Sequence, residues 1–160
     1  MQPPIIAVVG AGSCDVQLER LAFEVGREIA RRGAVVVCGG LGGVMEAAAR
    51  GAKEAGGWTV GILPGSSTTT ANPYIDFPVA TNMGQARNAI IVHTADVLIA
   101  VAGEYGTLSE IAMALKIGKK VVALQPNFSV PGLVTADDPR EAVDRAWAFL
   151  QSTPKERSLS

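Results

Sequence analysis

Three short stretches of the chain carry the glycines and polar side chains that could hold a small molecule. Four glycines in five positions, at 39–43, are more than a plain connection needs, which favours close approach by a ligand or by another part of the backbone. The stretch 102–110 contains a second glycine turn together with Thr107 and Glu110, and a third turn lies at 10–13. Because a glycine turn from a strand into a helix exposes backbone N–H groups, such turns are suited to anions.

Two familiar nucleotide motifs can be excluded from these turns. The stretch Gly10-Ala-Gly-Ser-Cys-Asp15 begins like a dinucleotide fingerprint, but an aspartate stands where the third glycine belongs. The next strand ends at Cys38 without an acidic residue to hold a ribose, so we expect no NAD. Val44-Met45 stands where the Walker loop requires Lys-Ser/Thr, which excludes a nucleoside-triphosphatase loop. Gly12 and Ser13 remain candidates to line a mouth shared with the other loops.

The polar side chains each have a structural and a functional interpretation. Thr107-Leu-Ser-Glu110 has the spacing of a capping box, with Thr107 as N-cap, and a capping glutamate at the mouth of a site would serve both roles. Arg87 is either an exposed, solvated arginine or a clamp for a phosphate, to which Asn88 could add an amide. Cys14 and Cys38 lack metal-ligand spacing, so we expect no structural metal.

The elements that must position these residues alternate along the chain. Apolar runs at 5–9, 34–38, 58–63, 97–101 and 119–124 predict buried strands, with weaker strands at 77–80 and 133–134. Helical patterns lie between them, including 15–31, 44–54, 83–94, 108–117 and 139–150. This alternation predicts an α/β fold with a central parallel sheet and helices on both faces. Every glycine cluster then lies at the carboxyl end of a strand, where such sheets bind ligands.

Composition limits the class of protein. The 160 residues are 48% hydrophobic and 18% charged, which predicts one globular domain over 1–151, followed by a polar, disordered tail at 152–160. A net charge of −1 without a basic block argues against nucleic acid as a partner. The absence of a spanning apolar run argues against a membrane, and we expect a cytoplasmic location.

Together the motifs resemble those of a known superfamily. The stretch 38–45 is similar to the Gly-Gly-Gly-x-x-Gly-Leu-Met signature of the LOG, or lysine decarboxylase-like, family, and 102–110 resembles its Pro-Gly-Gly-x-Gly-Thr-x-x-Glu. Arg87 takes the place of the family's Arg-Lys pair. The resemblance implies a Rossmann-like three-layer sandwich, a homodimer or homotetramer, and phosphoribohydrolase activity on cytokinin nucleoside 5′-monophosphates, with Arg87 and Glu110 as the catalytic pair.

The motifs and the resemblance define one set of candidate ligand-binding residues. It comprises Gly12, Ser13, Gly39, Gly40, Gly42, Gly43, Met45, Arg87, Asn88, Gly103, Glu104, Tyr105, Gly106, Thr107 and Glu110.

Four departures shift the resemblance within the superfamily. Cys38, Ala102, Glu104 and Asn88 replace a glycine, a proline, a glycine and a lysine of the family pattern, and a carboxylate at Glu104 would oppose a phosphate dianion. With these changes and its short length, the chain resembles the molybdenum cofactor carrier proteins more than the phosphoribohydrolases. The carrier proteins bind a pterin cofactor that is itself a phosphate monoester. The sequence therefore predicts a carrier-like protein with molybdenum cofactor as its ligand, and a nucleoside 5′-monophosphate phosphoribohydrolase as the alternative.

Overall fold

A computed structural model describes residues 2–152 of the chain. Seven strands occupy Ile5–Gly10 (β1), Val35–Cys38 (β2), Thr59–Leu63 (β3), Phe77–Ala80 (β4), Val97–Val101 (β5), Val121–Leu124 (β6) and Val134–Ala136 (β7). Five α-helices occupy Val16–Arg31 (α1), Val44–Glu54 (α2), Arg87–Thr94 (α3), Tyr105–Lys116 (α4) and Pro139–Ser152 (α5). Ser152, expected in the tail, ends α5, and the remainder of that predicted tail, 153–160, lies outside the described residues.

All seven strands are parallel and form one sheet in the order β4-β3-β2-β1-β5-β6-β7. The chain builds outward from β1 through β2 to β4, and then returns to the other side of β1 to add β5, β6 and β7. The α/β Rossmann-like prediction is therefore confirmed. The reversal of strand order between β1 and β5 opens the kind of crevice in which such sheets bind ligands.

Apolar side chains fill both faces of the sheet. Val8 points into the layer formed with α1, α2 and α5, whereas its neighbours Ala7 and Val9 point into the layer formed with α3 and α4. This alternation is the period of two that a strand buried on both faces requires. Helices therefore pack against both faces of the sheet and fix the positions of the strand ends.

Several element boundaries differ from the sequence prediction. The predicted helix at 83–94 is divided into a short 3₁₀ helix, Gly84–Ala86, and α3, while the weak strand at 133–134 is β7. Gly51 brings α2 close to α1, because a Cβ there would come 1.9 Å from the carbonyl oxygen of Phe23. Within residues 2–152, no helix has the length and apolar character needed to cross a membrane.

Candidate functional site

The carboxyl ends of β1, β2 and β5 surround a recess of about 140 Å³. Nine of the candidate ligand-binding residues line it: Gly12, Gly39, Met45, Arg87, Asn88, Glu104, Gly106, Thr107 and Glu110. The structure thus brings residues from all three glycine turns to one place, because parallel strands end at the same edge of the sheet. We refer to this cavity as the recess.

The other candidate residues lie around the recess. Ser13 and Gly43 line a neighbouring space of about 420 Å³, the side cleft, together with Cys14, Glu46 and Arg50. Gly103 and Tyr105 line a space of about 520 Å³, the outer cleft, which also borders Glu104, Leu108, Asn127 and Phe128. Gly40 and Gly42 belong to the lining of none of these three spaces.

Arg87 begins α3 and is buried at the recess, with 9% of its surface exposed. Its Nε donates to the carbonyl oxygen of Ile62 at 2.8 Å, Nη2 donates to that of Gly39 at 3.5 Å, and Nη1 donates to Asn88 Oδ1. A Cβ on Gly39 would lie 2.6 Å from Arg87 Nη2, so a larger residue there would displace the guanidinium from its present position. Arg87 is therefore a fixed charge within the site and not the solvated arginine of the alternative interpretation.

Glu110 lies on α4 and also lines the recess, with 9% of its surface exposed. Burial raises the pKa of its carboxyl to about 7, although the positive charge of Arg87 acts in the opposite direction. A carboxyl group with this pKa exchanges its proton near neutral pH, which is the property required of a general acid or base.

Cys38 is the last residue of β2 and is fully buried. Burial raises the pKa of its thiol to about 11, and the backbone N–H of Gly40 donates to Sγ at 3.4 Å. The thiol is therefore a packing group that supports the first glycine loop and is not a nucleophile. Both cysteines are free thiols, and no cluster of three or more His, Cys, Asp or Glu side chains suited to a metal occurs among residues 2–152.

The start of α4 differs from its prediction. The helix begins at Tyr105, Glu104 is the N-cap residue, and Glu104 forms a capping box with Thr107, whose Oγ1 accepts from the Glu104 N–H at 3.5 Å. The expected capping box of Thr107 and Glu110 is therefore wrong. Glu104 and Thr107 have the same three-residue spacing as Thr107 and Glu110, one turn earlier in the chain. Because β5 ends at Val101, α4 can begin at this earlier pair. Glu110 is consequently left free to face the recess.

Ala102 shows that the turn before α4 has its own backbone geometry. Its φ is +51°, in the left-handed region, and its N–H donates to the carbonyl oxygen of Leu124 at 2.8 Å. Proline can neither adopt this φ nor donate this hydrogen bond. The alanine that replaces the family's proline therefore fits this turn, which carries the backbone strain that often accompanies functional sites.

Sequence reasoning missed part of the lining. Gln85 of the 3₁₀ helix and Ile91 of α3 line the recess, as do Val8, Val9, Gly10 and Ala11 from the end of β1. Gly10 is closely packed in this lining, since a Cβ there would lie 2.7 Å from the carbonyl oxygen of Val101. The signal available in the sequence was the position of β1, since the central strand of such a sheet borders the crevice.

Two solved structures match the fold over nearly their whole length. A molybdenum cofactor binding protein from the phototrophic bacterium Rippkaea orientalis is 36% identical, with a TM-score of 0.88, over 93% of this chain and 98% of that protein. The molybdenum cofactor carrier protein of Chlamydomonas reinhardtii is 34% identical, with a TM-score of 0.86, over 94% and 99% of the two chains.

Two further relatives are found by sequence. An uncharacterised protein of Archaeoglobus fulgidus is 52% identical over 139 residues, which cover 87% of this chain and 91% of that protein. A cytokinin riboside 5′-monophosphate phosphoribohydrolase of Mycobacterium tuberculosis is 38% identical over 139 residues, covering 80% and 74% of the two chains. Residues 3–152 match a family profile, and the chain therefore belongs to the SLOG cluster4 family.

Proposed function

We propose that this protein is a carrier-like binding protein that holds a phosphate-bearing small molecule, with molybdenum cofactor as the ligand. The observation that carries the proposal is the convergence of the three glycine turns on one recess, in a fold that matches two molybdenum cofactor proteins over more than nine-tenths of this chain. In this proposal the protein supplies a protected site and no reaction.

The residues of the recess have the chemistry that such a ligand needs. Arg87 provides a fixed cation for the phosphate, while Gly12 and Gly106 leave the backbone around it uncovered. The cofactor brings a reduced pterin that is sensitive to oxidation, so the protein's part is to hold the ligand and limit access to it.

The carrier proposal is tested by protection of the ligand. Molybdenum cofactor released from a molybdoenzyme is incubated with increasing amounts of the protein, and the fluorescence of oxidised pterin is followed. We expect protection that saturates with protein concentration, and loss of that protection in Arg87→Ala. Protection no greater than that given by serum albumin would contradict the proposal.

Glu110 supports a second candidate, hydrolysis of the N-glycosidic bond of a nucleoside 5′-monophosphate. A buried carboxyl with a pKa of about 7 beside a fixed arginine suits this reaction, and a relative with 38% identity carries the name of such an enzyme. The Glu110 carboxylate would take a proton from water as the water oxygen bonds to the anomeric carbon. The bond between that carbon and the base nitrogen would break, and the proton held by Glu110 would pass to the base nitrogen.

A panel of nucleoside 5′-monophosphates separates the two candidates. The hydrolase predicts free base and ribose 5-phosphate in equal amounts, no release by Glu110→Ala, and a rate that rises as the pH passes about 7, because the ionised carboxylate is the active form. Release that depends on Glu110 would exclude a protein that is only a carrier. Absence of release, together with saturable protection of the cofactor, would exclude the hydrolase.

A further inference from the structure

The recess alone is too small for the ligand of the proposed function. Its volume of about 140 Å³ compares with roughly 300–1,000 Å³ for sites that hold drug-sized ligands. The outer cleft, of about 520 Å³, adjoins it directly because Glu104 lines both spaces. The side cleft shares no lining residue with the recess. The outer cleft is therefore the continuation that the structure offers to the larger part of a ligand.

We propose that the outer cleft holds the flat heterocycle of the ligand, and that Glu104 selects rings with a ring N–H beside an exocyclic amino group. Pterin and guanine share this pair of donors, whereas adenine lacks it. The inference rests on the proposed function, because it divides one ligand between the recess and the outer cleft.

The walls of the outer cleft suit a flat ring. Tyr105 is 90% exposed, and it lines the cleft with Leu108 and Phe128. Proteins commonly hold bases by stacking them on aromatic side chains, which tolerates different rings because each has a π-face. Stacking thus provides affinity for a heterocycle, and a separate group must provide the selection.

Glu104 is placed to make that selection. Glu104 is the N-cap residue of α4, so its negative charge stands at the positive end of the helix and weakens the attraction there for a second anion. An ionised carboxylate has about four acceptor positions, so the cap leaves acceptors for two parallel N–H donors. The charge of Glu104 would repel a phosphate, whereas that of Arg87 would attract it. Arg87 is the only lysine or arginine among the described residues that line the recess. The phosphate therefore lies toward Arg87 and the ring toward Glu104.

The test compares GMP with AMP on the full chain by titration calorimetry, with the products analysed after each titration to exclude cleavage. We expect GMP to bind about tenfold more tightly than AMP, as for other bidentate contacts to a base edge. Glu104→Ser keeps a good N-cap residue and removes the carboxylate, so the ratio should fall to about one. Glu46→Gln removes a charge from the side cleft and should leave the ratio unchanged.

A second pair of variants tests the stacking wall. Tyr105→Ala should weaken GMP by about tenfold, while Tyr105→Phe, which retains the ring, should bind as the parent does. Inorganic phosphate, which has no ring, should bind equally to the parent and both Tyr105 variants. Equal affinities for GMP and AMP in the parent, or a ratio unchanged in Glu104→Ser, would overturn this inference and leave the proposed function standing. If neither GMP nor AMP binds, this inference fails, while the proposed function is decided separately by the protection of molybdenum cofactor.

Discussion

The two glycine-rich loops, 39–43 and 103–106, look alike in sequence, but their glycines do not all serve the same purpose. Gly43 has a φ of +67°, and a Cβ there would lie 2.4 Å from the carbonyl oxygen of Ala11. Gly40 has a φ of +76°, and a Cβ there would lie 2.7 Å from Leu63 Cδ2. At Gly106, in contrast, no heavy atom lies within 4 Å of an added Cβ. Gly40 and Gly43 are therefore needed for packing, and so is Gly103, where a Cβ would lie 2.8 Å from Thr107 Cβ. Gly106 has no such requirement and leaves the recess uncovered.

The helices that follow the two loops also differ in charge. α2 begins after Gly43 and has no side-chain cap, whereas α4 begins after Glu104 in a capping box. A glycine-rich turn into a helix is therefore not by itself evidence of an anion site, because one of the two already holds a carboxylate of the chain. The comparison can be tested by substitutions in both loops and in the groups behind them.

The largest effect is expected at Gly43. Gly43→Ala should destabilise the protein by about 4 kcal/mol, because the left-handed φ and the contact with the Ala11 carbonyl each carry a cost. Chemical denaturation measures the free energy of unfolding. Gly42→Ala is the matched control, since its nearest atom would be the Gly12 oxygen at 3.5 Å, and equal losses in the two variants would contradict the packing explanation.

The next effect concerns the carboxyl group on the α4 side of the recess. Because the pKa of Glu110 in the folded protein is about 7 and its ordinary value is 4.5, the folded state holds the proton more tightly. The resulting stability is complete below about pH 4.5 and is lost as the pH rises to about 7, for a decrease of about 3 kcal/mol. In Glu110→Gln, the free energy of unfolding measured by denaturation should no longer fall across this pH range. An identical pH profile in both proteins would show that Glu110 ionises as an ordinary carboxyl.

A smaller effect is expected where the loop between β3 and β4 meets the first glycine loop. Asn72 Nδ2 donates to the carbonyl oxygen of Leu41 at 2.9 Å, and Asn72 Oδ1 accepts from the Tyr74 N–H at 3.0 Å. Asn72→Ala should therefore cost about 1–2 kcal/mol of stability. Hydrogen exchange should show faster opening of 39–43 in this variant than in a control with the exposed Asn127 changed to alanine. An unchanged exchange rate would show that the loop at 39–43 is not stabilised by the hydrogen bonds of Asn72.

The smallest effect on stability has the opposite sign. Gly106→Ala adds a methyl group to the first turn of α4 without a clash, so the free energy of unfolding should rise by about 0.5–1 kcal/mol. The same methyl group stands at the recess and should weaken binding of a phosphate ester about tenfold. Thermal denaturation and calorimetry measure the two quantities. A loss of stability would place Gly106 with the packing glycines of the first loop.

Much of the fold could be predicted because local patterns and tertiary packing agree. The run at 97–101 is apolar throughout and is β5, buried at every position. The helix predicted at 15–31 is α1, and Asp15 is its N-cap, accepting from the Leu18 N–H at 2.8 Å. The boundaries near the site could not be predicted in the same way. Thr107 and Glu110 have capping-box spacing, but so do Glu104 and Thr107, and only the position of β5 decides between them.

The candidate site divides along the same line. The glycine turns, Arg87 and Glu110 could be selected from residue types and spacing, and the order of the strands brings most of them to one recess. Spacing alone cannot show whether a glycine is required by a neighbour, since Leu63 lies more than twenty residues from Gly40 in the chain. Whether these residues bind the ligand proposed above stays a prediction.

The sequence by itself determined the parallel α/β sheet, the carboxyl-end location of the glycine turns and the family resemblance, because these depend on local hydrophobic periodicity and short motifs. Only the tertiary structure decided that Gly40 and Gly43 serve packing, that Arg87 is buried, that Glu104 caps α4, and that burial raises the pKa of Glu110. The physical reason is that burial, steric contact and electrostatic environment arise between residues far apart in the chain, and they exist only once the strands have assembled.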